Sequence, residues 1–210
     1  MRNKITTLII LIIIYLLLKH IIPFGNYIIY PINLLVTFLH EFGHGFFALI
    51  TGWSVHWLIV NSDWSWLTTT SWWIRDIVVA WGYLWSAIFW NILLYIWFKK
   101  EKLSKNVIYL LSWLMIFSAV FWFNWIISSL IILTLSGLLI FSTKYTKNYN
   151  LILQFLGISS IIYIIEDFNV WPSSDLEKFS TFLPNSVWMI IWLILVILIT
   201  WYNLKLILKK

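Results

Sequence analysis

An uncharged run of 22 residues occupies positions 77–98 and reads IVVAWGYLWSAIFWNILLYIWF. A helix needs about 20 mostly apolar residues to cross the hydrocarbon core of a bilayer, so this run is long enough to do so. Residues 107–142 are also uncharged, which is room for two short helices with a break near Phe123, Asn124 and Trp125. These two runs decide the fold class, and they predict a membrane protein.

The composition of the whole chain supports this class. Of its 210 residues, 62% are hydrophobic and 10% are charged, whereas soluble domains carry about a quarter charged residues. A net charge of +6 would suggest nucleic-acid binding in a soluble chain. Here the basic residues flank apolar runs, where they anchor helices beside anionic lipid, so nucleic acid is not expected as a partner. The chain has no Cys, which excludes disulfides, thiolate metal ligands and a Cys nucleophile.

Breaks between the apolar runs divide the chain into elements. Pro23, Gly25, Asn26 and Pro31 interrupt the helix early in the chain. The predicted spans are residues 5–22, 32–50, 77–98, two within 107–142, 151–165 and 187–207.

Residues 51–76 differ from these spans, because β-branched and aromatic side chains flank the turn-like stretch Asn61-Ser62-Asp63. We therefore predict an all-α polytopic membrane protein of about six to seven transmembrane helices. A small interfacial β-hairpin lies near residues 53–72, and residues 1–210 form a single domain. The expected location is the cell membrane, which the chain crosses several times.

Charge leaves the orientation in the membrane open. The basic loops 99–105 and 143–150 and the C-terminus are expected on the cytoplasmic face, and the acidic stretch 166–178 on the opposite face. Counting back over seven spans places the basic N-terminus on the wrong side for the same rule. The sequence alone does not resolve this conflict.

The second span contains the motif His40-Glu41-Phe42-Gly43-His44. On an α-helix two residues four apart lie on one face, so both imidazoles can bind the same metal ion. Glu41 lies beside the first ligand, where it can take a proton from the attacking water. The alternatives are a buried polar cluster that joins helices and an ion or proton path, because ionisable groups at membrane depth also serve these purposes. Gly43 and Gly45 are predicted to let another helix approach closely.

A catalytic zinc site needs a third protein ligand and an open position. Because all four His residues lie before position 57, the third ligand is expected to be a carboxylate, with His56 as an outside choice. Spacing alone does not choose among the candidates, which are Asp63, Asp76, Glu166, Asp167, Asp175 and Glu177.

Three segments carry a resemblance to a known family. They are LHEFGHGFFALITGWSVHWLIV at 39–60, VAWGYLWSAIFWNILL at 79–94 and SSDLEKFSTFLPNSVWMIIW at 173–192. Together they resemble the site-2 protease family of intramembrane zinc metallopeptidases, in its bacterial B-like branch. In that branch the motif helix is followed by a small-residue turn and a β-hairpin, and a Ser-Asp pair precedes the last span.

The resemblance implies a set of site residues and a function. His40 and His44 would be zinc ligands, Glu41 the general base and Asp175 the third ligand. Asp167 is the reserve, since Asp175 could instead cap a helix beginning near Leu176. The implied activity is zinc metalloendopeptidase action on a membrane-anchored protein substrate within the bilayer. An ion or proton transporter and an inactive membrane scaffold remain as alternatives.

Two further features have both a functional and a structural interpretation. An exposed edge of the hairpin, at residues 55–60 or 64–70, could hold a substrate as an added strand, or the hairpin could be an interfacial anchor. Asn91 and Asn124 could stabilise an oxyanion, but hydrogen bonding between helices is the simpler role for polar residues in apolar runs.

Overall fold

The computed structural model describes residues 2–60, 66–70, 75–123, 125–146, 149–167 and 184–209. Helices and one small sheet make up this part of the chain. In order they are α1 (Arg2–His20), α2 (Gly25–Ile50), β1 (Val55–Val60), β2 (Trp66–Thr70), α3 (Arg75–Lys99), a 3-10 turn (Glu101–Leu103), α4 (Ser104–Phe121), α5 (Ile126–Tyr145), α6 (Tyr149–Asp167) and α7 (Asn185–Leu208).

Four segments within the described residues are long and apolar enough to cross a bilayer. They are Gly25–Ile50, Glu101–Phe121, Ile126–Tyr145 and Ser186–Leu208. The membrane class is therefore supported, and the count of six to seven spans stays a prediction. The predicted division of residues 107–142 into two helices is confirmed, since α4 ends at Phe121 and α5 begins at Ile126.

The helix break in the N-terminal region differs from the prediction. Pro31 lies inside α2 instead of interrupting it, so the helix loses the backbone bond that a residue with an N–H would make there. The break falls earlier, at Phe24, which adopts the left-handed conformation with φ 62°. Gly25 then packs directly against the Leu18 carbonyl. A side chain on Gly25 would prevent this turn, and the fully buried Ile29 helps to keep the helix intact around Pro31.

The predicted β-hairpin is confirmed as a two-stranded antiparallel sheet. Leu58 pairs with Thr68 and Val60 with Trp66, with an irregularity between Val55 and Trp57. The turn-like residues 61–63 lie outside the described part of the chain. The sheet packs against α2, and its first strand also packs against α5.

Helix α3 lies at the centre of the bundle and packs against α2, α6 and α7. Its buried face includes Tyr83, Ala87, Trp90 and Leu93, each at most 1% exposed. Close approach to α6 depends on Gly157, where an added Cβ would lie 3.3 Å from Leu94 Cδ2. Because α3 touches all three neighbours, residues on it can position groups on each of them.

Polar side chains join helices inside this apolar bundle. Asn203 of α7 donates through Nδ2 to the Asn91 backbone oxygen at 2.8 Å and to Asn91 Oδ1 at 3.0 Å. Asn91 in turn donates to Thr200 Oγ1 at 3.2 Å. Asn91 therefore bonds α3 to α7, the structural role among the two considered. Asn124 lies outside the described residues.

We predict that Asn203→Leu lowers the free energy of unfolding by about 1–2 kcal/mol, because Asn91 Oδ1 is left buried without this donor. Unfolding of the detergent-solubilised protein by a denaturing detergent measures the change. Tyr202→Phe is the control, since Tyr202 is 64% exposed on the same helix and its loss should leave stability unchanged. Equal stability of Asn203→Leu and the parent chain would contradict the assignment.

Candidate metal centre

The two motif histidines face each other across one turn of α2. Nε2 of His40 lies 3.1 Å from Nε2 of His44, and the ring centroids are 4.8 Å apart with planes at 82°. His44 is buried at 6% exposure. The helical spacing therefore produces the convergence of imidazoles that the sequence predicts.

The donor set suits a single divalent metal ion. Tetrahedral coordination with Zn–N bonds of about 2.0–2.1 Å separates two ligand nitrogens by about 3.3 Å, close to the distance between the two Nε2 atoms. Ligand atoms of His40, Glu41 and His44 all lie within 4.8 Å of one another. Imidazole nitrogens are donors that zinc accepts, and the Glu41 carboxylate lies beside them.

Helix α3 approaches the imidazoles through a glycine. A Cβ added at Gly82 would overlap Cε1 and Nε2 of His44 and would lie 2.9 Å from Cε1 of His40. The edges of both rings that carry the converging nitrogens thus lie against bare backbone. Any other residue at position 82 would occupy the space in which the two nitrogens converge.

Aromatic side chains enclose the motif on its other sides. The Tyr83 ring lies 4.8 Å from the His40 ring in an edge-to-face arrangement. A Cβ on Gly43 would lie 2.9 Å from Trp85, and one on Gly45 would lie 3.1 Å from Trp122. Both glycines therefore allow bulky rings to pack on α2. These rings surround the centre with apolar material, which strengthens electrostatic interactions inside it.

Glu41 is held from outside the helix by the hairpin. Glu41 is buried, with 9% of the residue exposed, and its backbone oxygen accepts a hydrogen bond of 3.1 Å from Thr68 Oγ1. On the far side of the sheet, the Leu58 N–H donates to the Trp122 oxygen at 3.2 Å. The hairpin is thus pinned between the motif turn and the end of α4.

The candidates for a third ligand differ in how far the structure describes them. Asp63, Asp175 and Glu177 lie outside the described residues. Asp76 belongs to α3, and Glu166 and Asp167 to α6, but their side chains also lie outside the described part. His56 is exposed on β1 and is not in the cluster of His40, Glu41 and His44.

The register of α6 brings its C-terminal end to the level of the centre. Asn150, at the start of α6, donates to Glu101 Oε1 at 2.7 Å, and Gly157 lies opposite Leu94 and the Trp90 carbonyl. Helices α3 and α6 are therefore antiparallel. With about 1.5 Å of rise per residue, the ten residues that follow Gly157 end α6 near the level of Gly82.

Neither Gly82 nor Thr68 is among the site residues predicted from the sequence. Gly82 does carry a signal, because an isolated Gly among bulky apolar residues of a helix indicates close approach of a neighbouring helix. Thr68 carried no signal, because a Thr in a strand is common. Its contact with Glu41 depends on how the hairpin folds back onto α2.

Comparison with known proteins identifies the family. A family model described as Peptidase M50B-like matches residues 7–203, and the chain therefore belongs to this peptidase family. The resemblance to the B-like branch of the site-2 proteases is thereby confirmed. Among curated proteins and solved structures, none matches the chain.

We predict that Gly82→Ala abolishes stoichiometric zinc uptake, because the new methyl group displaces the His44 ring. Elemental analysis of the purified protein measures the zinc content, and circular dichroism checks that helix content is retained. Gly137→Ala on α5 is the matched control, since a Cβ there meets no atom within 4 Å. A folded Gly82→Ala protein with full zinc content would contradict the geometry.

Proposed function

We propose that this member of the M50B-like peptidases is a membrane-embedded zinc metalloendopeptidase of the cell membrane. It hydrolyses a peptide bond of a membrane-anchored protein substrate. The observation that carries the proposal is the convergence of the His40 and His44 nitrogens beside Glu41 and beneath Gly82. Family membership supports peptidase activity, and the donor set supports zinc.

His40 and His44 would hold the zinc ion together with a carboxylate. We assign this third position to Asp175, with Asp167 as the alternative. The register of α6 supports a ligand from this part of the chain, because α6 ends near the level of Gly82. A zinc ion held there supplies a Lewis acid that makes water nucleophilic at neutral pH.

Glu41 would carry the proton in the reaction. Its carboxylate accepts a proton from the attacking water as the new C–O bond forms at the scissile carbonyl. The same proton then passes to the leaving nitrogen as the C–N bond breaks, so one residue acts first as base and then as acid. The hydrogen bond from Thr68 to the Glu41 backbone oxygen restrains the motif turn during this exchange.

The hairpin offers an edge for an extended substrate. The Leu58 N–H donates to the Trp122 oxygen and therefore points away from β2, so Leu58 and Thr68 form a non-hydrogen-bonded pair of the antiparallel ladder. Because Trp122 occupies the outer edge of β1, a substrate strand would add to the outer edge of β2, beside the turn that contains Glu41. Strand addition would hold the substrate extended, as hydrolysis requires.

We predict that Glu41→Gln lowers cleavage of a membrane-anchored reporter by about 10²–10⁴-fold while zinc is retained, because only the proton carrier is lost. Glu101→Gln is the control, an identical change at an exposed residue outside the cluster. Cleavage and zinc content are measured on the same preparations.

Each other result contradicts part of the proposal. Cleavage that persists in Glu41→Gln would remove Glu41 as the base. Zinc binding without cleavage by the parent chain, for every anchored reporter tried, would favour the scaffold. Zinc or proton movement across proteoliposomes that depends on Glu41 would favour the transporter.

We predict that Asp175→Asn weakens zinc affinity by more than the roughly 10–100-fold typical of a lost outer-shell partner, whereas Asp167→Asn leaves it unchanged. Competition with a chromophoric chelator measures both affinities. Zinc loss in Asp167→Asn alone would transfer the ligand role to Asp167. Unchanged affinity in both variants would contradict the assignment of either.

A further inference from the structure

Each motif imidazole needs a fixed ring orientation, because a metal ligand must keep its lone pair directed at the ion. The torsion that turns a His ring about its bond to Cβ is broad, so the rotamer preference of the side chain does not set the ring plane. Groups packed around a ligand imidazole set it instead, and they tune metal affinity as well as geometry. His40 and His44 differ in the groups that do this.

The His44 ring is confined by backbone. Only 6% of His44 is exposed, and bare backbone at Gly82 lies against its Cε1 and Nε2 atoms. This contact leaves no space for the ring to turn towards α3. The orientation of His44 therefore follows from the close approach of the two helices.

His40 is less enclosed, and a side chain packs on it. The residue is half-buried, and the Tyr83 ring meets its imidazole edge-to-face, with centroids 4.8 Å apart and planes at 71°. Tyr83 is 1% exposed, so the packing of α3 holds the tyrosine ring in place. A rotation of the His40 imidazole would bring it against this fixed ring.

We infer that Tyr83 is a positioning residue for the first metal ligand, an inference that rests on the proposed zinc site. Its ring holds the plane of the His40 imidazole so that Nε2 stays directed at the point where the His44 Nε2 also converges, 3.1 Å away. Edge-to-face packing at this separation is a preferred arrangement of aromatic rings. The contact is between rings, so it does not require the tyrosine hydroxyl.

Two consecutive residues of α3 then serve the two ligands in different ways. Gly82 accommodates His44 by lacking a side chain, and Tyr83 orients His40 by supplying one. Successive residues of a helix point about 100° apart, so neighbouring positions can meet two rings that lie one turn apart on α2. Zinc affinity should therefore respond to position 83 through His40 alone.

Tyr83→Leu removes the ring, whereas Tyr83→Phe removes only the hydroxyl. We expect Tyr83→Leu to weaken zinc affinity by about 10–100-fold, the range typical of a lost group beside a metal ligand, and Tyr83→Phe to leave it unchanged. Competition with a chromophoric chelator measures the affinity, and circular dichroism checks helix content. If Tyr83→Leu loses helix content, Tyr83→Met replaces it, because a flexible side chain adapts to the space that the ring leaves.

Phe89→Leu is the matched control, the same kind of change at another buried aromatic residue of α3, 8% exposed. The Phe89 ring packs on Trp85 and Trp90 and lies about 9 Å along the helix from Tyr83. We expect unchanged zinc affinity. An equal loss in Phe89→Leu and Tyr83→Leu would overturn the inference, because the effect would then be a general loosening of α3. An equal loss in Tyr83→Phe would also overturn it, since the hydroxyl would then be the effective group.

Double variants connect Tyr83 to one ligand. In a His40→Ala background Tyr83→Leu should cause no further loss of zinc affinity, because the ring that it positions is gone, whereas in a His44→Ala background it should. Equal further losses in both backgrounds would overturn the inference. Unchanged affinity in Tyr83→Leu itself would also refute it and leave the proposed function standing. None of these measurements needs cleavage, so a chain that binds zinc but cleaves no reporter contradicts the proposed function and still tests Tyr83.

Discussion

The close approach of α3 to the motif turn of α2 is the constraint on which the site depends. Gly82 leaves space against His44 and His40 that no other residue could leave, and the two Nε2 atoms converge in that space. Around it, Tyr83, Trp85 and Trp122 supply bulk that the three small residues Gly82, Gly43 and Gly45 accommodate. The centre is therefore a polar cluster in an otherwise aromatic interior, and glycines at the contact positions provide the space for it.

The same arrangement links the chemistry to the rest of the bundle. The hairpin reaches the motif through Thr68 and reaches the end of α4 through Leu58, so three separate elements restrain one helical turn. The geometry of the motif turn therefore depends on contacts from the hairpin, α3 and α4 together.

Much of this was readable from local sequence. The helix break after Phe121 follows from the interruption near Asn124, and the hairpin from β-branched and aromatic residues on both sides of a turn-like stretch. The paired imidazoles follow from two His residues four positions apart on a helix. Each of these signals acts over a short stretch of sequence. The prediction that Pro31 interrupts the helix was wrong, because burial of the neighbouring side chains stabilises the helix by more than one missing hydrogen bond destabilises it. The partnership of Asn91 with Asn203 joins residues 112 positions apart, and the choice of third ligand depends equally on tertiary packing that spacing does not encode.

X-ray absorption at the zinc edge of the purified, zinc-loaded protein shows whether His40 and His44 bind the ion together. We expect a four-coordinate ion with only nitrogen and oxygen neighbours and with the multiple scattering of two imidazole rings, one of which disappears in His44→Ala. A spectrum without imidazole scattering, or one that His44→Ala leaves unchanged, would contradict it.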